Sequence, residues 1–186
     1  MILSRNDLKR YLSEDAARYN GQIPNLQDFL LHNEKWYIYH FVRHLRYMEY
    51  YLNCYGRKHP LFLWHFFRYK RFSFRLHITI YPNTVGPGLR IYHVGDFIHV
   101  GTQCSIGSHC TLLPGVVFGN KHEQETGDTI TVGDNCYFGL GAKIFGTVNI
   151  GDNVTIGANS VVTKNIPSNA VAGGIPARIL KTKEYH

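Results

Sequence analysis

The chain has 186 residues, 44% hydrophobic and 18% charged, which is enough to bury the core of one domain or of a compact domain with a smaller neighbour. No apolar run approaches the roughly 18 residues of a membrane span, and the charged start lacks the form of a secretory signal, so we expect a cytoplasmic protein. The formal charge of +7 is uneven, because residues 1–92 hold 14 Lys/Arg against 6 Asp/Glu and residues 93–186 hold 6 against 7.

The first 77 residues are predicted to be helical. "RNDLKRYLSEDAARY" is typical of one helix, "PNLQDFLLHNEKWYIYHFVRHLRYMEYYLNCYG" of one or two more that are broken by Gly56 and Pro60, and "LFLWHFFRYKRFSFRL" of another. Aromatic and basic residues alternate densely in this segment. They indicate either a face that packs on the rest of the protein or on other subunits, or a surface that touches an anionic membrane or a phosphate-bearing glycan precursor. No motif supports nucleic-acid binding.

The second half carries a six-residue repeat, which fits neither a helix nor a simple strand. Aliphatic or aromatic residues recur every six positions, and small residues mostly follow four places later. The repeat positions downstream are Val132, Phe138, Ile144, Ile150, Ile156 and Val162, and those upstream are Val100, Ile106, Leu112 and Phe118, after an earlier pair at Val85 and Ile91. This pattern predicts a parallel β-helix with three hexapeptides in each triangular coil.

The repeat also assigns most of the four cysteines. Cys104, Cys110 and Cys136 occupy the small inward slot of the repeat, and no pair has CxxC spacing, so we expect all four cysteines, Cys54 included, to be buried small hydrophobes. The repeat breaks at residues 91–100 and again at 118–132, where a polar insertion should leave the coil as an exposed loop and either is a tolerated insertion or covers a site.

Four stretches together resemble a known family: "GPGLRIYHVG", "GVVFGN", "FGLGAKIFGTVNIGDNVTIGANSVV" and "GGIPARIL". They are similar to the hexapeptide acyltransferases, in the branch that contains serine O-acetyltransferases and bacterial polysaccharide O-acetyltransferases, and the likeness covers roughly residues 76–181. The resemblance implies a mainly β fold, a left-handed parallel β-helix over residues 78–186 behind a helical segment over residues 1–77. It also implies a homotrimer that binds acetyl-CoA between subunits.

By this resemblance the general base is His93, which follows "GPGLRI". Imidazole suits the removal of a proton from an acceptor hydroxyl near neutral pH. The serine enzymes orient this histidine with an aspartate, but the matching position here is Thr79. Asp96, Asp128 or Glu123 are the substitutes, and the sequence does not decide among them.

The resemblance also bears on the acceptor. Serine enzymes carry a Gly-Gly-Asp-Arg-His-Pro loop, and this chain has "GNKHEQETGDTITVG" in its place. We therefore prefer a hydroxyl of a capsular or cell-surface polysaccharide as the acceptor, with Asp96, Lys121 and His122 as candidate substrate contacts. Serine O-acetyltransferase of cysteine synthesis is the alternative.

For acetyl-CoA, the resemblance implies small residues on the later coils and basic residues near the end of the chain. The matching residues are Gly141, Ala142, Ala158, Ser160, Lys164 and Arg178. No metal is expected, although His93, His99, His109 and His122 keep a zinc enzyme on the same scaffold open as an alternative. The last alternative is a protein without catalytic activity that uses the coil only to form trimers, and the intact "GLRIYH" and "GLGAKI" stretches argue against it.

Overall fold

The computed structural model describes residues 1–19, 23–121 and 127–184. Its helices lie in the N-terminal segment, as predicted: α1 (Arg5–Ala17), α2 (Leu26–Leu30), α3 (Glu34–Tyr55) and α4 (Pro60–Leu76). Ser4 caps α1, because its side chain accepts a hydrogen bond from the Asp7 amide. Helix α4 begins at Pro60, where a missing N–H costs nothing, and is followed by His77 in the left-handed conformation, with a φ of 59°.

The rest of the described chain forms short strands arranged in three sheets. In chain order the strands are β1 (Ile78–Ile80), β2 (Arg90–Ile91), β3 (Ile98–Val100), β4 (Cys104–Ile106), β5 (Thr111–Leu112), β6 (Val117–Gly119), β7 (Ile130–Val132), β8 (Tyr137–Phe138), β9 (Lys143–Phe145), β10 (Val148–Ile150), β11 (Thr155–Ile156), β12 (Val161–Val162), β13 (Ala170–Gly174) and β14 (Ala177–Thr182). The orders are β1-β3-β6-β9-β12, β10-β7-β4 and β14-β13-β11-β8-β5-β2.

The strand register confirms the hexapeptide prediction. Neighbouring strands pair in parallel, with Ile150 beside Val132, Ile156 beside Phe138 and Val162 beside Ile144. Each of these partners is three hexapeptides away in sequence, so successive turns of the coil stack with their repeat positions in register. All twelve predicted repeat positions are buried, and so are the residues four places after each downstream position. Among the strands of the described residues, β14 alone breaks the pattern, because it pairs antiparallel with β13 as a closing hairpin.

Cysteine burial was predicted correctly for three of the four residues. Cys104, Cys110 and Cys136 are buried in the coil, as the inward slot requires. The prediction is wrong for Cys54, which is exposed. Cys54 lies in the last turn of α3, outside the repeat, where its thiol donates to the Leu3 carbonyl at 3.3 Å.

The helical segment packs on the first coils through one continuous core. Residues of α3 and α4, such as Phe41 and Tyr69, belong to the same buried cluster as the inward residues of the coils. Arg46 of α3 lies at the centre of this junction with its side chain wholly buried. It bonds Asp15 of α1, Glu49 of α3 and the carbonyls of Val85 and Gly86. Two helices are thereby fixed to one edge of the coil.

The outer face of α4 is both apolar and basic. The exposed side chains on this helix include Leu61, Leu63, Trp64, Phe67, Lys70, Arg71, Phe74 and Arg75. Within the described residues, no helix is long and apolar enough to cross a membrane. The contact with an anionic membrane surface stays a prediction.

Candidate active site

His93 stands at the corner between β2 and β3, at the predicted break in the repeat. Its backbone is in the left-handed region, with a φ of 55°, and its side chain is 69% exposed. The preceding repeat residue, Ile91, is buried and anchors the corner to the coil. The imidazole is therefore held by a rigid scaffold and remains open to a reactant.

The carboxylate that contacts His93 comes from the helical segment. Glu34 is the first residue of α3, and its Oε1 lies 2.6 Å from Nδ1 of His93. Its Oε2 accepts the amide N–H of Val94 at 3.2 Å. An ionised carboxylate only accepts hydrogen bonds, so Nδ1 carries the hydrogen of this contact, and in the neutral ring the lone pair then lies on Nε2.

Glu34 was missed by the sequence analysis, which left the acid open among three other residues. Asp128 bonds the Lys121 amide and the Thr147 hydroxyl at the base of the insertion, and Glu123 lies outside the described residues. Asp96 is exposed three residues beyond His93, and the structure shows no bond between them. No sequence signal pairs Glu34 with His93, because 59 positions separate them.

The start of α3 is braced by Asp28 of α2. Its carboxylate accepts from the Asn25 amide at 2.9 Å and from the Asn33 side chain at 3.1 Å, and it lies 2.9 Å from the Lys35 ammonium. The hydrogen bond from Lys35, followed by that from Asn25, lowers the pKa of Asp28 below its ordinary value. Residues on both sides of Glu34 are thus tied to one carboxylate.

The candidate CoA residues fall into three groups. Ala142 and Ser160 point into the coil and are buried, and the Ser160 hydroxyl accepts from the Gly174 amide at 3.2 Å. Gly141 lies at a corner with a φ of 70°, where its carbonyl accepts from the Lys143 ammonium at 3.1 Å. The outward group consists of Ala158, Lys164 and Arg178, which are exposed. Neither cation of this group has a carboxylate within 4 Å among the described residues.

The candidate substrate and metal residues are dispersed. Asp96 and Lys121 are exposed, and His122 lies outside the described residues. Among residues 1–19, 23–121 and 127–184, no group of three His, Cys, Asp or Glu side chains could hold a metal ion. His109 pairs with Glu14 at 3.2 Å, and His99 stacks on Phe97. Within the described part of the chain, His93, His99 and His109 therefore do not form a metal site.

Comparison with known sequences gives a family match and relatives of known activity. The model described as "Hexapeptide repeat of succinyl-transferase" matches residues 129–164. The serine acetyltransferase of Staphylococcus aureus (strain Mu50 / ATCC 700699) is 38% identical over 105 residues, which are 56% of this chain and 49% of that protein. The serine acetyltransferase of Staphylococcus epidermidis (strain ATCC 12228 / FDA PCI 1200) matches equally. The chain spans about half the length of the curated relatives it matches.

Solved structures are similar over nearly the whole chain, helices included. The serine acetyltransferase of Neisseria gonorrhoeae in complex with serine has a TM-score of 0.71 and 27% identity, covering 97% of this chain and 72% of that one. A serine acetyltransferase in complex with cysteine has a TM-score of 0.76 and 25% identity, covering 97% of this chain and 68% of that one. A serine acetyltransferase in complex with CoA has a TM-score of 0.68 and 26% identity, covering 94% of this chain and 68% of that one. This chain has the hexapeptide-repeat transferase fold, with serine acetyltransferases as its homologues.

These relatives correct the preferred acceptor. The expectation of a polysaccharide acceptor is wrong, because the similar sequences and structures are serine acetyltransferases. The expectation rested on the missing Gly-Gly-Asp-Arg-His-Pro loop. That one difference counted for more than the similarity of the coil sequence to the serine enzymes. The relatives favour the alternative, serine O-acetyltransferase, and they support the prediction of an acetyltransferase that uses acetyl-CoA.

Proposed function

We propose that this protein is a serine O-acetyltransferase that uses acetyl-CoA. The observation that carries the proposal is an exposed imidazole, His93, fixed at a coil corner by a carboxylate on Nδ1. The chain that carries it is 38% identical over 105 residues to a serine acetyltransferase. A histidine with a free Nε2 has the donor and acceptor pattern of a general base.

His93 acts twice in the proposed reaction. Acetyl-CoA, as the co-substrate, supplies the acetyl group as a thioester. Nε2 of His93 takes the proton from the serine hydroxyl as the oxygen forms its bond to the acetyl carbon, and the ring then returns that proton to the departing CoA sulfur. The imidazole ends neutral, as it began, so proton and charge balance over one turnover.

The outward basic residues fit the phosphates of CoA. Lys164 and Arg178 are exposed and lack a carboxylate partner among the described residues, so their charges are available. Ala158, upstream of Lys164 in the sequence, adds an exposed small side chain. The buried side chains of Ala142 and Ser160 line the coil interior instead, so in the proposal these two residues shape the coil and do not touch CoA through their side chains.

The finer features of the family belong to the same proposal. We infer a left-handed coil and a homotrimer, with each site completed at a seam between subunits. Asp96 and Lys121 are then the described candidates for contacts to the amino and carboxylate groups of serine, and His122 is a third candidate from the insertion. Size-exclusion chromatography with light scattering tests the trimer.

The proposed function is tested by product analysis. Purified protein with acetyl-CoA should form O-acetylserine from L-serine, detected by mass spectrometry together with free CoA, and N-acetylglucosamine should serve as the control acceptor. His93→Asn should lower the rate by about 10²–10⁴-fold, which is the usual contribution of a general base. CoA release that L-serine does not increase would end the proposal.

A further inference from the structure

We infer that Glu34, from the helical segment, is the positioning residue of the proposed general base, in place of an acid that none of the described coil residues supplies. The inference rests on the proposed function, since it concerns how His93 performs that reaction. It assigns the helical segment a part in the chemistry as well as in folding.

The contact has the geometry of an orienting carboxylate. A separation of 2.6 Å between Oε1 and Nδ1 is short even for a charge-assisted hydrogen bond. The second oxygen accepts the Val94 amide, so one carboxylate holds both the ring of His93 and the backbone that follows it. The bond from the Val94 amide holds the carboxylate in place, and the carboxylate then holds the ring through its one bond to Nδ1.

By the resemblance to the serine enzymes, the orienting aspartate falls at a position of β1 that carries no acid in this chain. Thr79 of β1 lies there, and its hydroxyl is 3.5 Å from the Ser73 hydroxyl of α4. Thr79 also lines an apolar cavity of about 320 Å³ with Phe66, Tyr69 and Ile80, and His93 is not among the residues that line it. A threonine cannot supply the negative charge that favours the Nδ1–H form of the imidazole.

Glu34 is itself held in place by the residues on either side of it. It is the first residue of α3, and its neighbours Asn33 and Lys35 both contact Asp28. The side chain of Glu34 is 38% exposed, so its two hydrogen bonds and this bracing, rather than burial, define its position. A carboxylate that is already oriented loses little entropy when the imidazole becomes charged during the reaction.

The test is Glu34→Gln, which keeps the size and removes the charge. Glutamine can accept from Nδ1–H or donate to Nδ1, so both tautomers of His93 become acceptable and part of the population has a hydrogen on Nε2. We expect kcat to fall by about 10–10³-fold, less than the roughly 10⁴-fold known for loss of a buried triad aspartate, because Glu34 is partly exposed. The KM values for serine and acetyl-CoA should stay within about twofold.

A spectroscopic readout separates positioning from a general loss of structure. Long-range ¹H–¹⁵N spectra of the histidine side chains should show Nδ1 protonated and Nε2 unprotonated for His93 in the wild type, and a mixture in Glu34→Gln. The matched control is Glu14→Gln, since Glu14 is also a helical carboxylate that contacts a corner histidine, His109, at 3.2 Å. This control should keep the wild-type kcat.

The outcomes are distinct. If His93→Asn is inactive but Glu34→Gln keeps the wild-type kcat and the wild-type spectrum, the inference is overturned and the proposed function stands. An equal loss of kcat in Glu14→Gln would also overturn the inference, because it would show a general weakening of the helical segment. If the wild type forms no O-acetylserine, the proposed function fails, and the spectra still decide whether Glu34 sets the tautomer.

Discussion

The buried Arg46 cluster gives the sharpest test of how the helices are joined to the coil. We consider Arg46→Met, which preserves much of the apolar stem and removes the guanidinium. That group donates to Asp15 at 2.8 Å, to Glu49 at 3.2 Å and to the carbonyls of Val85 and Gly86 at 2.8 and 2.6 Å. The substitution leaves two buried carboxylates without their cation.

The structure sets the size of the effect. Each carboxylate keeps one backbone donor, since Asp15 accepts from the Leu89 amide and Glu49 from the Asn83 amide. The loss therefore falls near the middle of the usual range for breaking a buried ion pair, at about 4 kcal/mol. For a chain of this length, that corresponds to a decrease in melting temperature of about 8–16 °C.

The assay is urea denaturation at one fixed protein concentration, followed by circular dichroism, with thermal melting as a second measurement. The triple variant Asp15→Asn/Arg46→Met/Glu49→Gln should be more stable than Arg46→Met alone, because it removes the unpaired charges as well. A loss below about 1 kcal/mol in Arg46→Met would refute the reasoning, since it would show that water or a rearranged side chain replaces the guanidinium.

The loss of stability in Arg46→Met should depend on pH, and the direction of that dependence can be worked out. Burial raises the pKa of Glu49 above its ordinary value of 4.5, and the charge of Arg46 only partly opposes this. A carboxyl with a raised pKa in the folded state stabilises folding as the pH falls through that pKa, and it loses this contribution as the pH rises. Without Arg46 the pKa of Glu49 rises further, so the destabilisation of Arg46→Met should be smaller at about pH 5.5 than at about pH 7.5.

Three further predictions concern the core, the thiols and the surface. Phe138→Ala should cost about 3–5 kcal/mol in urea denaturation, because Phe138 is fully buried against Phe118, and a Leu substitution there should cost less. Ellman's reagent should modify Cys54 rapidly and Cys104 slowly in the folded protein, because burial shields the Cys104 thiol and raises its pKa to about 12. Rapid reaction of the folded Cys54→Ser variant would contradict the burial of the remaining thiols. The protein should sediment with phosphatidylserine-containing vesicles and not with phosphatidylcholine vesicles, and Phe67→Ser should reduce binding; equal binding to both would exclude an electrostatic contact.

The fold was predictable from the sequence because the geometry of a β-helix requires a six-residue repeat that is visible in the chain. Every sixth residue turns inward, so the buried positions from Val85 to Val162 could be named without knowing any contact between distant segments. Helices were predictable in type for a similar reason, since their caps and apolar faces are local. The error at Cys54 shows the limit, because a residue in the last turn of a helix has no repeat to fix which way it points.

The candidate site also has one part that the sequence predicted and one part that only the structure shows. The sequence alone determined that His93 stands at a break in the coil, because the interrupted six-residue spacing marks the corner. It did not determine which acid meets the imidazole, because that depends on where α3 begins in space relative to β2, and this is set by packing of helices on the coil and by the Arg46 cluster. Glu34 and His93 lie 59 residues apart, and only tertiary packing brings a carboxylate from one and an imidazole from the other to 2.6 Å.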